Sequence, residues 1–331
     1  MTKLILSRIW QGALVLLVVS ALTFWLLAAA GGDALSALAS EPHVSASTVA
    51  ELRRLYGLDQ PLALRYLRWL SGFARGSLGY SFYFHAPVAL VILPRLLRTL
   101  LISAVAILVA CAVSLALGVQ AARKPRSLWD RASEFLILVS ASTPRIVLAL
   151  VALAVAARTN LFPIGGAFEA AQALSPARVL PPAIVLAVPL VALFLAQTRE
   201  SLRAALAQDF VTVARAKGLP ERAVIYRHAL RAALNPLITI FGYSLGGLIG
   251  GSVIVESVLG WQGLGLLAVA AVKERDAPLL MGVVMITATA VLVGNLLADV
   301  LLRLNDPRLR EDDPARARRR RRDSITAAPA A

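Results

Sequence analysis

Val213-Ala214-Arg215-Ala216-Lys217-Gly218-Leu219 is a short polar helical stretch that ends on a glycine and lies between two long apolar runs. Gly218 can take the left-handed conformation that stops a helix, and Pro220 can open the next one. Upstream, Leu206, Phe210, Val213 and Lys217 fall on one helical face, while Gln208, Asp209, Thr212 and Arg215 fall elsewhere. Downstream, a second helix over 221–234 carries Arg222, Arg227, His228 and Arg231, and Asn235-Pro236 is expected to bend the chain back into the next apolar run. Two readings fit this loop: an amphipathic hairpin resting on lipid headgroups, or a knob that fits a groove on a cytoplasmic partner.

The flanking runs fix the class. Of the 331 residues, 58% are hydrophobic and 16% charged, and the mean hydropathy of +0.73 exceeds that of soluble domains. Runs of about 20 apolar residues, each long enough to cross the roughly 30 Å bilayer core, recur along the chain. The expected spans are Ile9–Ala30, Leu97–Ala121, Ser133–Ala157, Val179–Gln197, Pro236–Val255 and Leu279–Leu302. Lys3 and Arg8 precede the first run, and Ala28-Ala29-Ala30 resembles a signal-peptidase site. Signal h-regions are only about 7–15 residues long, however, so this run reads as an uncleaved span. The result is an all-α integral membrane protein in three parts: residues 1–96, a span plus an external helical segment; 97–305, a five-span core with the loop 199–235; and 306–331, a basic tail expected to be disordered.

Charge sets the orientation. Arg123, Lys124, Arg126 and Arg131 follow the second span, and Arg199, Arg203, Arg215, Lys217, Arg222, Arg227 and Arg231 follow the fourth. The loop after the third has Arg158 and Arg178, and that after the fifth has Lys273 and Arg275. The positive-inside bias therefore places both termini in the cytoplasm. It also accounts for much of the net charge of +15 without nucleic acid. Arg318–Arg322 reads as a juxtamembrane electrostatic anchor, with a nucleic-acid or anionic-lipid patch as the alternative. In the external segment, Thr48-x-x-Glu51 is a capping-box pattern, Pro61 opens a second helix, and Pro87–Arg95 is an amphipathic piece leading into the second span.

Absent motifs exclude other chemistries. No G-x-x-x-x-G-K-[ST] loop occurs, so the chain is not expected to bind ATP. His43, His85 and His228 are widely separated, no H-E-x-x-H occurs, and Cys111 is the sole cysteine, so neither a metalloenzyme nor an internal disulfide is expected. Few ionisable residues lie mid-span, which argues against ion-coupled secondary transport. That alternative and a non-transporting scaffold are the competing readings. In the fifth span Gly242, Gly246 and Gly250 recur at four-residue spacing, with Gly247 and Gly251 beside them. Such stripes allow close helix approach, either as static packing or along a central pathway. Glu256 follows as a gate residue or as a helix-end carboxylate at the interface.

Ala214-Arg215-Ala216-Lys217-Gly218-Leu219, Arg227-His228-Ala229-Leu230 and Asn235-Pro236 resemble the so-called EAA loop of ABC-transporter permeases. More narrowly, the chain resembles the dipeptide/oligopeptide/nickel permeases of bacterial importers. The likeness extends through Tyr56–Pro61, Arg75–Ser81, Phe162–Gly166, Val255–Ser257, Trp261–Gly265 and Asp306–Arg308. It implies a six-span type I importer permease in the bacterial inner membrane. Its partners would be a second, commonly non-identical permease, two ATPase subunits and an extracytoplasmic solute-binding protein. ATP and Mg would sit on the ATPases, with no cofactor on this chain. The segment Asp209–Gly218, including Ala216, becomes the coupling helix. Phe210, Val213 and Ala214 would enter the ATPase groove, and Arg215 and Lys217 would meet its rim. Leu97-Arg98-Thr99, Gly31–Ala34 and Arg145 depart from the family pattern, which bears on solute class and external geometry rather than on fold.

Overall fold

The computed structural model describes residues 2–31, 45–55, 57–159, 162 and 175–305. The basic tail, the junction after Gly31 and most of the Phe162–Gly166 motif lie outside them. Helix α1 (Thr2–Ala29) is followed by α2 (Ala46–Leu55) and α3 (Leu62–Ala74), then by a short antiparallel hairpin of β1 (Tyr80–Ser81) and β2 (Ala86–Pro87). Ser45, not Thr48, caps α2: its hydroxyl accepts from the Thr48 backbone N–H at 3.1 Å. The amphipathic stretch after Pro87 is continuous with the second span in α4 (Val88–Arg123).

The third span departs from the straight helix expected over Ser133–Ala157. It is broken into α5 (Leu128–Ser142) and α6 (Arg145–Thr159), which meet at 97°. Pro144 is the cause. It lacks an N–H and crowds the preceding residue out of the helical region, and Thr143 is extended at φ −92°, ψ 117°. The remaining elements are α7 (Pro176–Leu206), α8 (Asp209–Ala216), α9 (Glu221–Ala223), a π-helical turn over Val224–Ala229, α10 (Leu230–Leu259), α11 (Leu264–Lys273) and α12 (Ala277–Asn305). Among the described residues, five helices are long and apolar enough to cross a bilayer, or six if the bent pair is one span.

Asn235-Pro236 does not end the helix as expected, and α10 continues through it. Proline is tolerated in membrane helices that neighbours hold in place. Here Asn305, at the end of α12, ties the turn before the proline by donating to the Arg231 carbonyl at 3.1 Å and to Asn235 Oδ1 at 2.6 Å. The irregularity falls one turn earlier, in the π segment.

The main core lies between α4 and α7, with Ile102, Ala106 and Ala110 against Ala183, Leu186 and Leu195, and Leu248 and Val255 joining from α10. Small residues set the closest approaches. A Cβ on Gly118 would stand 2.8 Å from Thr198 Cγ2. Between α10 and α12 the contact is closer still, with a Cβ on Gly242 falling 2.3 Å from Ala298 Cβ and one on Gly294 falling 2.8 Å from Leu245 Cδ1. Helix α1 is peripheral and only 11% buried over its apolar window. It is held by the Arg8–Asp299 ion pair at 2.6 Å and by Ser20–Tyr66 at 2.9 Å.

Three buried carboxylates pin the ends of the bundle. Asp130 accepts from the Arg126 N–H at 2.8 Å and from Arg199 Nε at 2.7 Å, and it also pairs with Arg203, which ties the start of α5 to α7. Asp276 accepts from Ser81 Oγ at 2.7 Å and from the N–H groups of Tyr83 and Leu279, both at 3.1 Å, so one side chain caps α12 and holds the hairpin. Glu256 accepts from Thr99 Oγ1 at 2.7 Å and from the Leu266 N–H at 3.0 Å. Thr99 in turn accepts from the Leu264 N–H at 2.8 Å. The chain turns tightly here. Gly260 is left-handed at φ +68°, and a Cβ on Gly263 would lie 2.3 Å from Glu256 Oε1.

Two outcomes follow for the purified chain in detergent. Gly242→Val should lower the melting temperature by an overpacking cost of about 1–3 kcal/mol. Gly247→Ala should not lower it, because no atom lies within 4 Å of its added methyl. Thr99→Val strands a carboxylate oxygen and a buried N–H, and should cost about 1–3 kcal/mol in the same thermal assay.

Candidate functional site

The loop between α7 and α10 is a folded platform. Helix α7 stops at Leu206, Gln208 is extended at φ −81°, ψ 151°, and α8 restarts at Asp209, an acid in the first turn where the helix dipole favours negative charge. Leu206 and Phe210 therefore belong to different helices rather than to one face of a continuous helix. Leu206 packs on the platform's core, while Phe210 is 42% exposed. That core is Val119 and Ala122 of α4, Leu202 and Ala205 of α7, Val211 and Ala214 of α8, Val224, Ile225 and Ala229 of the π segment, and Ala233 of α10. Ala214, expected to face a partner, is buried in the chain's own core. It is small and sits one turn from Val211, so together they form the inner side of α8.

The outer side carries Phe210, Val213 at 52% exposure, and Leu219. Asp209, Arg215, Ala216, Lys217 and Gly218 are exposed around them. Gly218 is left-handed at φ +75°, and the Leu219 N–H reaches back to the Ala214 carbonyl at 3.4 Å. Arg215 spans the turn, giving two hydrogen bonds to the Glu221 carboxylate at 2.8 and 3.2 Å. The hydrogen bond to that carboxylate raises the Arg215 pKa above the ordinary arginine value. Both groups are exposed, so the pair orients the turn more than it stabilises the fold.

The glycine stripe on α10 splits into two faces. Gly242 and Gly246 pack against α12, the latter with Val291 Cγ1 3.0 Å from its would-be Cβ. Gly247 and Gly250 have nothing within 4 Å. With Tyr243, Ile254 and Ser257 they form an exposed strip at helical spacing along one side of α10. A methyl on Gly251 would strike the Arg145 guanidinium at 1.7 Å, so that glycine makes room for a side chain from the broken span. Glu256 does not line this strip. It is fully buried on another side of α10, in the lock with Thr99.

Some of these features carry a local sequence signal and others carry none. Val211 had a visible signal, its i, i+3 partnership with Ala214. Asp130 lay in a Ser127-x-x-Asp130 capping pattern, and the Ser127 hydroxyl accepts from the Asp130 N–H at 3.3 Å. No local signal joins Thr99 to Glu256 or Ser81 to Asp276. Among the described residues, no group of three metal-ligating side chains occurs.

A family described as the binding-protein-dependent transport system inner membrane component matches residues 114–311, and its N-terminal counterpart matches residues 1–103. The oligopeptide transport system permease protein AppB of Bacillus subtilis (strain 168) is 35% identical over 317 residues, covering 93% of this chain and 99% of its own. A putative peptide permease protein of Brucella suis biovar 1 (strain 1330) is 35% identical over 319 residues, covering 94% and 99%. The dipeptide transport system permease protein DppB of Escherichia coli (strain K12) is 31% identical over 336 residues, again covering 94% and 99%. The family is the membrane component of such systems, distinct from their ATPase and without a cofactor of its own, and its members work with ATPase and binding-protein partners. With its all-helical fold and membrane-spanning helices, the chain is a multi-pass inner-membrane permease belonging to the binding-protein-dependent transport system inner membrane component family.

Proposed function

We propose that this chain forms half of the pathway of an ATP-driven importer of di- or oligopeptides. The other half is a second permease, a non-identical relative; two ATPases sit beneath, and a solute-binding protein delivers cargo from outside. The oligopeptide and dipeptide systems named for the relatives support the choice of cargo. The positive charge of the loops after α4 and α7 supports placing both termini, and the platform, in the cytoplasm.

The observation that carries this reading is the two-sidedness of α8. Phe210 and Val213 stand outward, while Val211 and Ala214 join an apolar cluster that takes in the π turn and the ends of α4, α7 and α10. An ATPase groove takes Phe210 and Val213, and Arg215 and Lys217 meet its polar rim. Closure of the two ATPases on ATP moves α8, and the shared apolar core passes the displacement to three membrane helices as a rigid-body rocking. The open strip of α10, through Gly247 and Gly250, faces the solute path and the second permease. The Glu256–Thr99 lock keeps the far end of α10 attached to α4, so the rocking is transmitted across the bilayer rather than lost in bending.

In the whole complex, a cysteine at Phe210, introduced with Cys111→Ser, should cross-link to the ATPase, and one at Val211 should not. Cross-linking at neither position, or equally at both, sinks the reading. Gly218→Val should leave the complex assembled while ATP-linked uptake falls about tenfold or more, because a β-branched residue resists the left-handed turn. Uptake at the wild-type rate refutes a coupling role for this turn.

A further inference from the structure

We propose that Arg145 is a specificity-determining residue of the pathway that holds an anionic group of the cargo, a carboxylate of the peptide. This rests on the importer reading above and extends it to a named solute contact.

Arg145 sits at depth. It begins α6 immediately after the 97° break, one 15-residue helix away from the Ser127 cap of α5. At about 1.5 Å per residue, that is roughly 22 Å along α5. Its guanidinium lies against Gly251 of α10, which is eight residues, or about 12 Å, before the helix ends at Leu259. With α5 and α10 taken along the bilayer normal, both distances put the charge inside the bilayer slab, in the half away from α8. The hydrocarbon core is about 30 Å thick.

A charge at such depth needs a partner or water. The other arginines beside the spans show what a structural role looks like here. Arg199 and Arg203 pair with Asp130, and Arg8 pairs with Asp299. Arg145 has no hydrogen bond or ion pair to another described residue. It nevertheless has a built seat, since Gly251 lacks the side chain that would displace it. Gly251 lies one turn from Gly247 and next to Gly250, both of which face open space. The guanidinium therefore borders the open strip of α10.

The chemistry that recognises such a group is a carboxylate. Planar, always charged and two-pronged, guanidinium binds carboxylates through paired hydrogen bonds that lysine cannot reproduce. The relevant field is also strong, because a charge flanked by low-dielectric walls is screened less than one in bulk water. Cargo with an acidic side chain gains there, and cargo with an extra positive charge near that point loses.

The carboxylate meant is the side chain of an acidic residue, since every peptide brings the same C-terminal one. The test uses the complete complex, with its ATPases and peptide-loaded binding protein, in proteoliposomes. Uptake of Ala-Asp-Ala and Ala-Lys-Ala is compared between wild type, Arg145→Gln and Arg145→Lys, each peptide normalised to its own wild-type rate so that selection by the binding protein cancels. Arg145→Gln should lower uptake of the aspartyl peptide by about tenfold or more and that of the lysyl peptide distinctly less, while Arg145→Lys recovers part of the loss. ATPase stimulation by the loaded binding protein in Arg145→Lys shows that the complex is assembled. In parallel, Arg145→Cys in a Cys111→Ser chain should react with a water-soluble anionic thiol reagent, and more slowly in the presence of the loaded binding protein. Equal losses for both peptides, or a cysteine that never reacts in any nucleotide state, overturn the assignment of Arg145 while wild-type uptake upholds the importer. A wild-type complex that accumulates neither peptide overturns the peptide reading, and this assignment falls with it.

Discussion

The apolar patch under α8 is the contact on which the rest of the molecule depends. Val211 and Ala214 seat α8 on the π turn, in a buried apolar cluster that continues through Val119, Leu202, Ile225 and Ala233 into three membrane helices. Packed interiors transmit displacement because they deform little. Through that patch α8 is continuous with the platform ends of α4, α7 and α10 by way of the π turn. The fold otherwise keeps these helices together by close approach at Gly118, Gly242 and Gly294, where missing side chains bring backbones near enough for dispersion to act along whole turns.

The two ends of the bundle are built on different physics. The end bearing α8 is joined by apolar packing and by Asp130 with its arginines. The far end is joined by Glu256 and Asp276, each accepting backbone N–H groups from a neighbouring turn as well as a hydroxyl. Satisfied polar clusters of this kind fix one geometry tightly, since any displacement strands several groups at once. The bundle thus has a stiff rim away from the platform and a broad apolar bearing beneath it.

Much of this was legible in the sequence, because hydropathy over a long run measures transfer into lipid directly. The positions of α1, α4, α7, α10 and α12 follow from that alone. Direction does not. An apolar run reads the same straight or bent, so the break at Pro144 escaped, while Pro236 was given a bend, yet α10 continues through it with the turn before tied by Asn305. Glycine spacing announced close approach on α10 but not to what; only the arrangement of α12 and Arg145 separates Gly242 and Gly246 from Gly247 and Gly250. The glycine turn at Gly218 was legible because it is local. The inward side of α8 was misjudged at Ala214, since a small residue fits equally well against a partner or its own core. Glu256 was unreadable for a different reason: Thr99 lies 157 residues away, and nothing local marks the pair.

The Arg8–Asp299 clasp has a consequence for biogenesis. It joins α1 to α12, two helices made far apart in time, and α1 buries little else. At roughly 5–20 residues per second, synthesis leaves Arg8 without its acid for a period on the order of tens of seconds. Through most of that interval α1 is tied to the chain through Ser20 and Tyr66 of α3 and otherwise rests in lipid. The α1–α12 contact therefore closes only once α12 is made, and a chain cut short before Asp299 leaves that side of α1 facing lipid.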